Sequence, residues 1–278
     1  MNTRIPLGEW VDAGVKWFQA NNGGVVEFVG WIIETFTVAI EQLLAAVPWW
    51  ALVGAFVALS FWRKGWQFAL FTALAFGLIV STGFWDQTVV TLALITSATA
   101  ISLAIGVPLG IWAAKSSRVE MIVRPVLDFM QTMPAFVYLI PAAMMFGLGK
   151  VPGVLATVVF AMPPAVRLTT LGIRQVNKEQ VEAGISFGCT PMQLLRKVQI
   201  PSAMPSILAG VNQTIMMALS MVIIASMVGA GGLGNDVLAA ISRLDVGLGF
   251  ESGLCVVLLA IVLDRLTESF GQAKQTTT

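Results

Sequence analysis

Between Arg174 and Pro205 the chain gathers Lys178, Glu179, Glu182, Arg196 and Lys197, a polar island among long apolar runs. Residues of these types could do acid–base chemistry, hold a phosphate, or present a surface to another protein. The sequence contains 0 His and no cluster of carboxylates, which disfavours general acid–base catalysis and removes His-based metal sites. A phosphate loop of the form G-x-x-x-x-G-K-[ST], whose backbone amides would cradle nucleotide phosphates, does not occur. Cys189 lies in the island and Cys255 in an apolar run far from it, so no disulfide is expected. Set between membrane spans, such an island is more easily explained as a docking surface than as a linker.

The island has the grammar of two short helices joined by a tight turn. Asn177 can cap the first, with Gln180 in the capping-box position and Val181, Ala183 and Ile185 following as helix-compatible apolar residues. Gly188 stops it, because glycine takes the left-handed conformation beyond a helix end without a Cβ penalty. Thr190-Pro191-Met192-Gln193 starts the second, with Thr as cap, Pro where no amide donor is needed and Gln at the third position. Pro201 and Pro205 are expected to mark its end.

The elements that must position this surface are membrane spans. Hydrophobic residues make up 57% of the chain and charged residues 11%, with a mean hydropathy of +0.84. Soluble domains carry roughly 25% charged residues, so this is an all-α polytopic membrane protein. A crossing helix needs about 20 mostly apolar residues, and charge-free runs of that order fall at 42–62, 65–85, 87–114, 129–149 and 198–235. A shorter run at 151–164 extends past Arg167 to Ile173, and a last one at 252–263 needs residues before Glu251 to reach full length. The count is about seven spans. The chain divides into an N-terminal region at 1–47, two peripheral spans within 48–86, a core over 87–266 containing the loop 174–205, and a tail at 267–278. A net charge of +1 without a basic tail gives no sign of nucleic acid as a partner. No secretory leader is expected, because the N-terminus lacks a basic segment followed by a short apolar core and cleavage site.

Lys and Arg accumulate in cytoplasmic loops. With the island inside, alternation puts Arg63/Lys64, Lys115/Arg118/Arg124, Arg174/Lys178, Arg196/Lys197 and Arg265/Lys274 on the same side, leaving Arg4, Lys16, Lys150 and Arg243 outside. The expected topology has its N-terminus outside and its C-terminus in the cytoplasm. Ahead of the spans, Leu7, Trp10, Val11, Val15, Trp17 and Phe18 alternate at helical spacing with Glu9, Asp12, Lys16 and Gln19, an amphipathic helix suited to the interface and broken at 21–24. Glu27, Glu34 and Glu41 then recur every seventh residue, near one helix face. Carboxylates at the centre of a span cost roughly 2.5–3.5 kcal/mol each, so this segment is also expected to lie in the interface.

Glu182-Ala183-Gly184, three residues, Gly188, nine residues and Val198-Gln199-Ile200-Pro201 closely resemble the EAA signature, E-A-A-x3-G-x9-I-x-L-P, of membrane subunits of bacterial ABC importers. Gly184 stands for the second Ala, Val198 for Ile and Ile200 for Leu. The resemblance extends over 87–266, which looks like the type I importer core. The segments 229–234 and 244–251, with the amphipathic N-terminus and two extra spans, are similar to permeases of the glycine betaine, proline betaine and choline group. That resemblance implies a homodimeric permease in the bacterial inner membrane, joined to two ATPase subunits and fed by a substrate-binding protein at the outer face. ATP and Mg would be used by the ATPase, with no cofactor held by this chain. Glu182, Ala183, Gly184 and Gly188 would enter a groove on the ATPase, and Val198, Ile200 and Pro201 would link that coupling element to the following span.

Gly229 to Gly234 also fit G-x-G-x-x-G, but a dinucleotide site needs a βαβ context, and a flexible exit from the span is expected instead, with Asn235 capping a short outer helix where a binding protein could dock. Gly106 and Gly110 form a GxxxG step that permits close helix approach, within the chain or between copies. Arg124 and Asp128 are one turn apart and are expected to pair. Arg167, after a Pro163-Pro164 kink, is expected to snorkel toward the cytoplasmic surface. Quaternary ammonium groups are held by aromatic faces, yet most of the 9 Trp and 16 Phe suit interfacial belts and lipid packing. Met133, Phe136, Met216, Met217 and Ser220 are the candidates for the translocation path. Rival readings are an ABC permease for another small solute such as methionine, an ion-coupled secondary transporter, for which inverted repeats and midplane acids are not evident, and a membrane enzyme.

Overall fold

A computed structural model describes residues 6–271; Arg4 and Lys274 of the charge argument lie outside them. Every regular element among the described residues is helical. Three long helices, α5 (Trp85–Lys115), α8 (Lys150–Arg174) and α11 (Ile200–Ala225), pack on one another as the centre of the bundle. Small residues set their spacing. A Cβ on Gly106 would lie 3.0 Å from Ala165 Cβ, one on Gly110 2.7 Å from Thr169 Cβ, and one on Gly172 2.6 Å from Ser206 Cβ. The GxxxG step is therefore consumed by α5–α8 packing inside the chain. Leu94, Ala98, Val154, Ala161, Ala218 and Val222 fill the buried core between the three helices. α8 runs through Pro163 and Pro164 without a break.

Between α5 and α8 the chain forms α6 (Ser117–Thr132) and α7 (Phe136–Phe146), bent by 94°. Pro134 explains the break: the residue before a proline is driven out of the helical region, and Met133 is extended at φ −74°, ψ 139°. Beyond α11 come α12 (Leu233–Arg243) and α13 (Val246–Gly271), the latter packed on α11 and α12. Ahead of the core, α3 (Trp49–Lys64) and α4 (Trp66–Ser81) form a hairpin turned at Gly65, whose φ is +89°.

Five described helices are long and apolar enough to cross a membrane, or six with the bent α6–α7 pair taken as one. The expectation of about seven included α3 and α4 as full spans. Each has 16 residues, about 24 Å of helix, short of the roughly 30 Å hydrocarbon core. The run at 42–62 is split at Val47 and Pro48 between α2 (Gly23–Ala46) and α3.

α2 meets the length and composition of a span, which the interfacial expectation did not foresee. It packs chiefly against α5, with Ile33 in the central core, and also touches α7 and α8. A Cβ on Gly30 would come within 3.1 Å of the Phe146 ring, and Lys150 pairs with Glu41. Positions 30 and 41 are roughly 16 Å apart along a helix, yet both partners sit at one end, the last residue of α7 and the first of α8. Val26, Gly30, Ile33 and Thr37 form the buried stripe of α2, while Glu34 at its midpoint is exposed. α1 (Leu7–Asn21) leaves Trp10 and Trp17 exposed, as an interfacial helix would.

The expected tail from 267 is a continuation of α13 as far as Gly271. The reason is a set of contacts distant in sequence. Thr267 donates to the Asn212 side chain, Lys64 pairs with Glu268 at 2.7 Å, and Arg63 lies over the Phe270 ring while donating to the Ser269 carbonyl.

Candidate coupling loop and translocation face

The island folds as two helices. Asn177 caps α9 (Lys178–Ser186) by accepting the Glu179 N–H at 2.9 Å. Gln180 does not complete a capping box; its Oε1 accepts from Ser202 Oγ at 3.1 Å and ties α9 to α11. Gly188 ends the helix at φ +74°, with the Cys189 N–H donating to the Gly184 carbonyl. α10 (Pro191–Leu194) carries the full capping box of Thr190 and Gln193.

Pro201 and Pro205 do not end this second helix. α10 passes through a π turn, Leu195–Gln199, directly into α11. The Ile200 N–H donates to the Leu195 carbonyl, five residues back. The widened turn sits just ahead of Pro201, which has no amide to give a regular ladder. The loop is thus continuous with a core helix.

Its root is apolar. Ile173, Val176, Leu195, Ala203 and Ile207 form a buried cluster, with Val181 and Ile200 packed against it. Gly184 is buried where α9 meets α10; a Cβ there would reach Leu194 Cδ1 at 2.7 Å, which is why glycine suits the place of the second alanine. Glu182, Ala183, Gly188 and Pro201 are exposed, and Val198 and Ile200 are half-buried. The outward face also carries Ile185, Met192 and Phe187, the last 89% exposed. Phe187 was not singled out in the sequence; its signal there is an aromatic residue inside a polar island, just before the helix-stopping glycine.

Arg174, the last residue of α8, donates to the carbonyls of Ala113 (3.0 Å) and Ala114 (3.3 Å) in the last turn of α5 and pairs with Glu120 of α6. Asp128 pairs not with Arg124 but with Arg167, which also donates to Gln131 Oε1 at 2.7 Å. The four-residue spacing suited an Arg124 pair, but packing brings the α8 guanidinium closer. Arg167 is held by this pair and by Gln131.

The candidate path residues are only partly brought together. Met216, Met217 and Ser220 share the more open side of α11, with Ser220 exposed. Met217 Sδ lies 3.7 Å from Gln131 Nε2, so α6 adds Gln131 to this face. Met133 sits at the α6–α7 bend, and Phe136 lines a separate cavity of about 280 Å³ with Leu139, Ile140, Ala143, Met144 and Val228.

At the opposite end from the loop, Gly229, Gly231 and Gly232 all have positive φ and reverse the chain. The turn is anchored: the buried Leu233 N–H donates to Thr91 Oγ1 at 2.9 Å, and a Cβ on Gly234 would stand 2.4 Å from the Ile223 carbonyl. α12 begins after Gly232, so Asn235 is a first-turn residue and not its cap. Asp236 has one buried carboxylate oxygen without a hydrogen-bond partner, and burial raises its pKa above the usual aspartate value.

Among the described residues the molecule is a helical bundle with helices of membrane-spanning length and a polar loop rooted in its core helices. Residues 106–275 match the family described as binding-protein-dependent transport system inner membrane component. The chain belongs to this family and is the permease component of an ABC importer, a multi-pass inner-membrane transport subunit and not an enzyme. It is 50% identical over 275 residues to the glycine betaine/carnitine transport permease protein GbuB of Listeria monocytogenes, covering 96% of each chain. It is 47% identical over 270 residues to the glycine betaine/proline betaine transport system permease protein ProW of Escherichia coli, covering 97% of this chain and 76% of that one. The fold resembles that in inward-facing structures of the MetNI methionine ABC transporter, with TM-score 0.60 and 20% identity over 66% of this chain and 91% of the other. The architecture is that of a type I ABC importer permease.

Proposed function

We propose that this chain forms the translocation path of an ATP-driven importer for quaternary ammonium compatible solutes: glycine betaine, proline betaine, choline or carnitine. The observation that carries the solute class is likeness over almost the whole chain to permeases named for glycine betaine with carnitine or proline betaine. Two copies would form the membrane core, with two ATPase subunits on the cytoplasmic side and a substrate-binding protein on the outer side. The partner ATPase uses ATP and Mg.

Coupling is assigned to Glu182, Ala183, Gly184 and Gly188 at the ATPase, with Phe187 as an added apolar contact, and to Val198, Ile200 and Pro201 as the link to α11. Support comes from the continuous α10–α11 run and the buried cluster under it. A displaced α9–α10 pair must carry the core helices with it. Met133, Phe136, Met216, Met217 and Ser220 are assigned to the path, with weak contacts there because selection belongs to the binding protein. The N-terminus is assigned to the outside, with 1–47 at the interface, and the C-terminus to the cytoplasm; the exposed Glu34 supports the interfacial placement.

The test is reconstitution with the ATPase and binding protein in liposomes, followed by uptake of betaine, choline, carnitine and methionine with and without ATP. ATP-dependent uptake of a quaternary ammonium solute is expected. Preference for methionine, or uptake by the chain alone down an ion gradient, would overturn the reading.

A further inference from the structure

α6 and α8 run antiparallel and are tied twice, Glu120 to Arg174 and Asp128 to Arg167. Between them and α5 lies a cavity of about 490 Å³ lined by Glu120, Arg124, Asp128, Arg167, Thr170 and Arg174 among others. Its size lies within the roughly 300–1,000 Å³ of small-ligand pockets. Two of its guanidiniums are matched by carboxylates; Arg124, exposed on α6, has no ion pair or hydrogen bond among the described residues.

The Asp128–Arg167 pair is not sealed in the core. Its side chains are 55% and 42% exposed. Arg167 divides its fork, Nη2 to Asp128 and Nη1 to Gln131. Gln131 in turn meets Met217, so the pair is continuous with the α11 face assigned to the path. A solute with one charge can replace only one member of such an exposed pair and leaves the other to solvent. A zwitterion restores an opposite charge to each.

The geometry points to Asp128 and Arg167 as a transient exchange site for zwitterionic solutes, in which the solute carboxylate replaces Asp128 on the Arg167 fork and the solute cation faces Asp128. The inference rests on the transport reading above. Guanidinium matches carboxylate through two parallel hydrogen bonds, and Arg124 at the rim draws the carboxylate end inward. The opposed attractions orient the solute, and each replaces an existing contact, so the solute is held weakly enough to pass on.

The experiment compares glycine betaine, a zwitterion, with choline, a cation lacking the carboxylate, in the reconstituted importer. Arg167→Gln should lower ATP-driven betaine uptake by about tenfold, the scale of losing a hydrogen bond to a charged group, and lower choline uptake far less. Asp128→Asn should lower choline uptake by more than betaine uptake, because betaine keeps its contact with Arg167. A merely structural tie would lower both solutes in equal proportion, and that result, or no loss, overturns the inference while leaving the transport reading intact. A wild-type importer that moves neither solute overturns both. Saturation-transfer NMR of betaine with the detergent-solubilised permease gives a readout independent of turnover: the methyl signal should be present with wild type and lost with Arg167→Gln, and equal signals overturn the site.

Discussion

The Arg174 guanidinium pairs with the Glu120 carboxylate at the residue where α8 ends and the polar loop begins. The same side chain closes on the Ala113 and Ala114 carbonyls, so three helices are held at the base of the loop by one group. Arg174→Gln should lower the apparent melting temperature of the purified permease. Hydrogen bonds to charged groups contribute about 1.5–3 kcal/mol, and partial exposure brings the expected loss down to about 1 kcal/mol. An unchanged melting curve would count against the tie.

Gly188 at φ +74° has open space around it, so a substitution there is strained by backbone and not by collision. A β-branched residue in the left-handed region costs roughly 1–2 kcal/mol, enough to reshape the α9–α10 turn. Gly188→Val should insert into the membrane at wild-type levels and show several-fold lower ATP-driven uptake. Normal uptake by this variant would remove the turn from the coupling role.

Phe187 is nearly fully exposed on the loop; aromatic residues are enriched at interface cores, where truncating an anchor costs about 2 kcal/mol or more. Phe187→Ala should weaken co-purification with the ATPase without changing the melting temperature of the permease alone. Equal affinity of both forms, measured by titration in nanodiscs, would show that the ATPase does not seat on this side chain.

Burial raises the Asp236 pKa, and the sign of its effect follows. A carboxyl raised in the folded state contributes stability that is complete below its unfolded value of about 3.9. That contribution is lost as pH rises through the folded value. Asp236→Asn should therefore raise the melting temperature relative to wild type above that window, with the difference shrinking as pH falls through it. A difference that grows on acidification would contradict the burial argument.

Much of this was legible in the chain. The caps at Asn177 and Thr190, the stop at Gly188 and the signature 182–201 are local patterns, and local backbone chemistry produced the helices they imply. Gln180 does not complete the expected capping box, and Pro201 does not end the second helix. The Ser202 hydroxyl competes for Gln180, and a π turn absorbs the proline. The exposure of Phe187 and the link from Gln131 to Met217 had no periodic signal, because each depends on how neighbouring elements stack.

Membrane character and the presence of a capped loop were determined by the sequence alone, since hydropathy, residue types and short spacings suffice for them. The tertiary structure alone decided which charges meet. Asp128 takes Arg167, 39 positions away, over Arg124 four residues distant, and Glu41 takes Lys150 across the end of the bundle. Helical spacing offers Asp128 a local partner in Arg124 and offers Glu41 and Lys150 none, so which charges meet is decided by how the packed helices are rotated and cross.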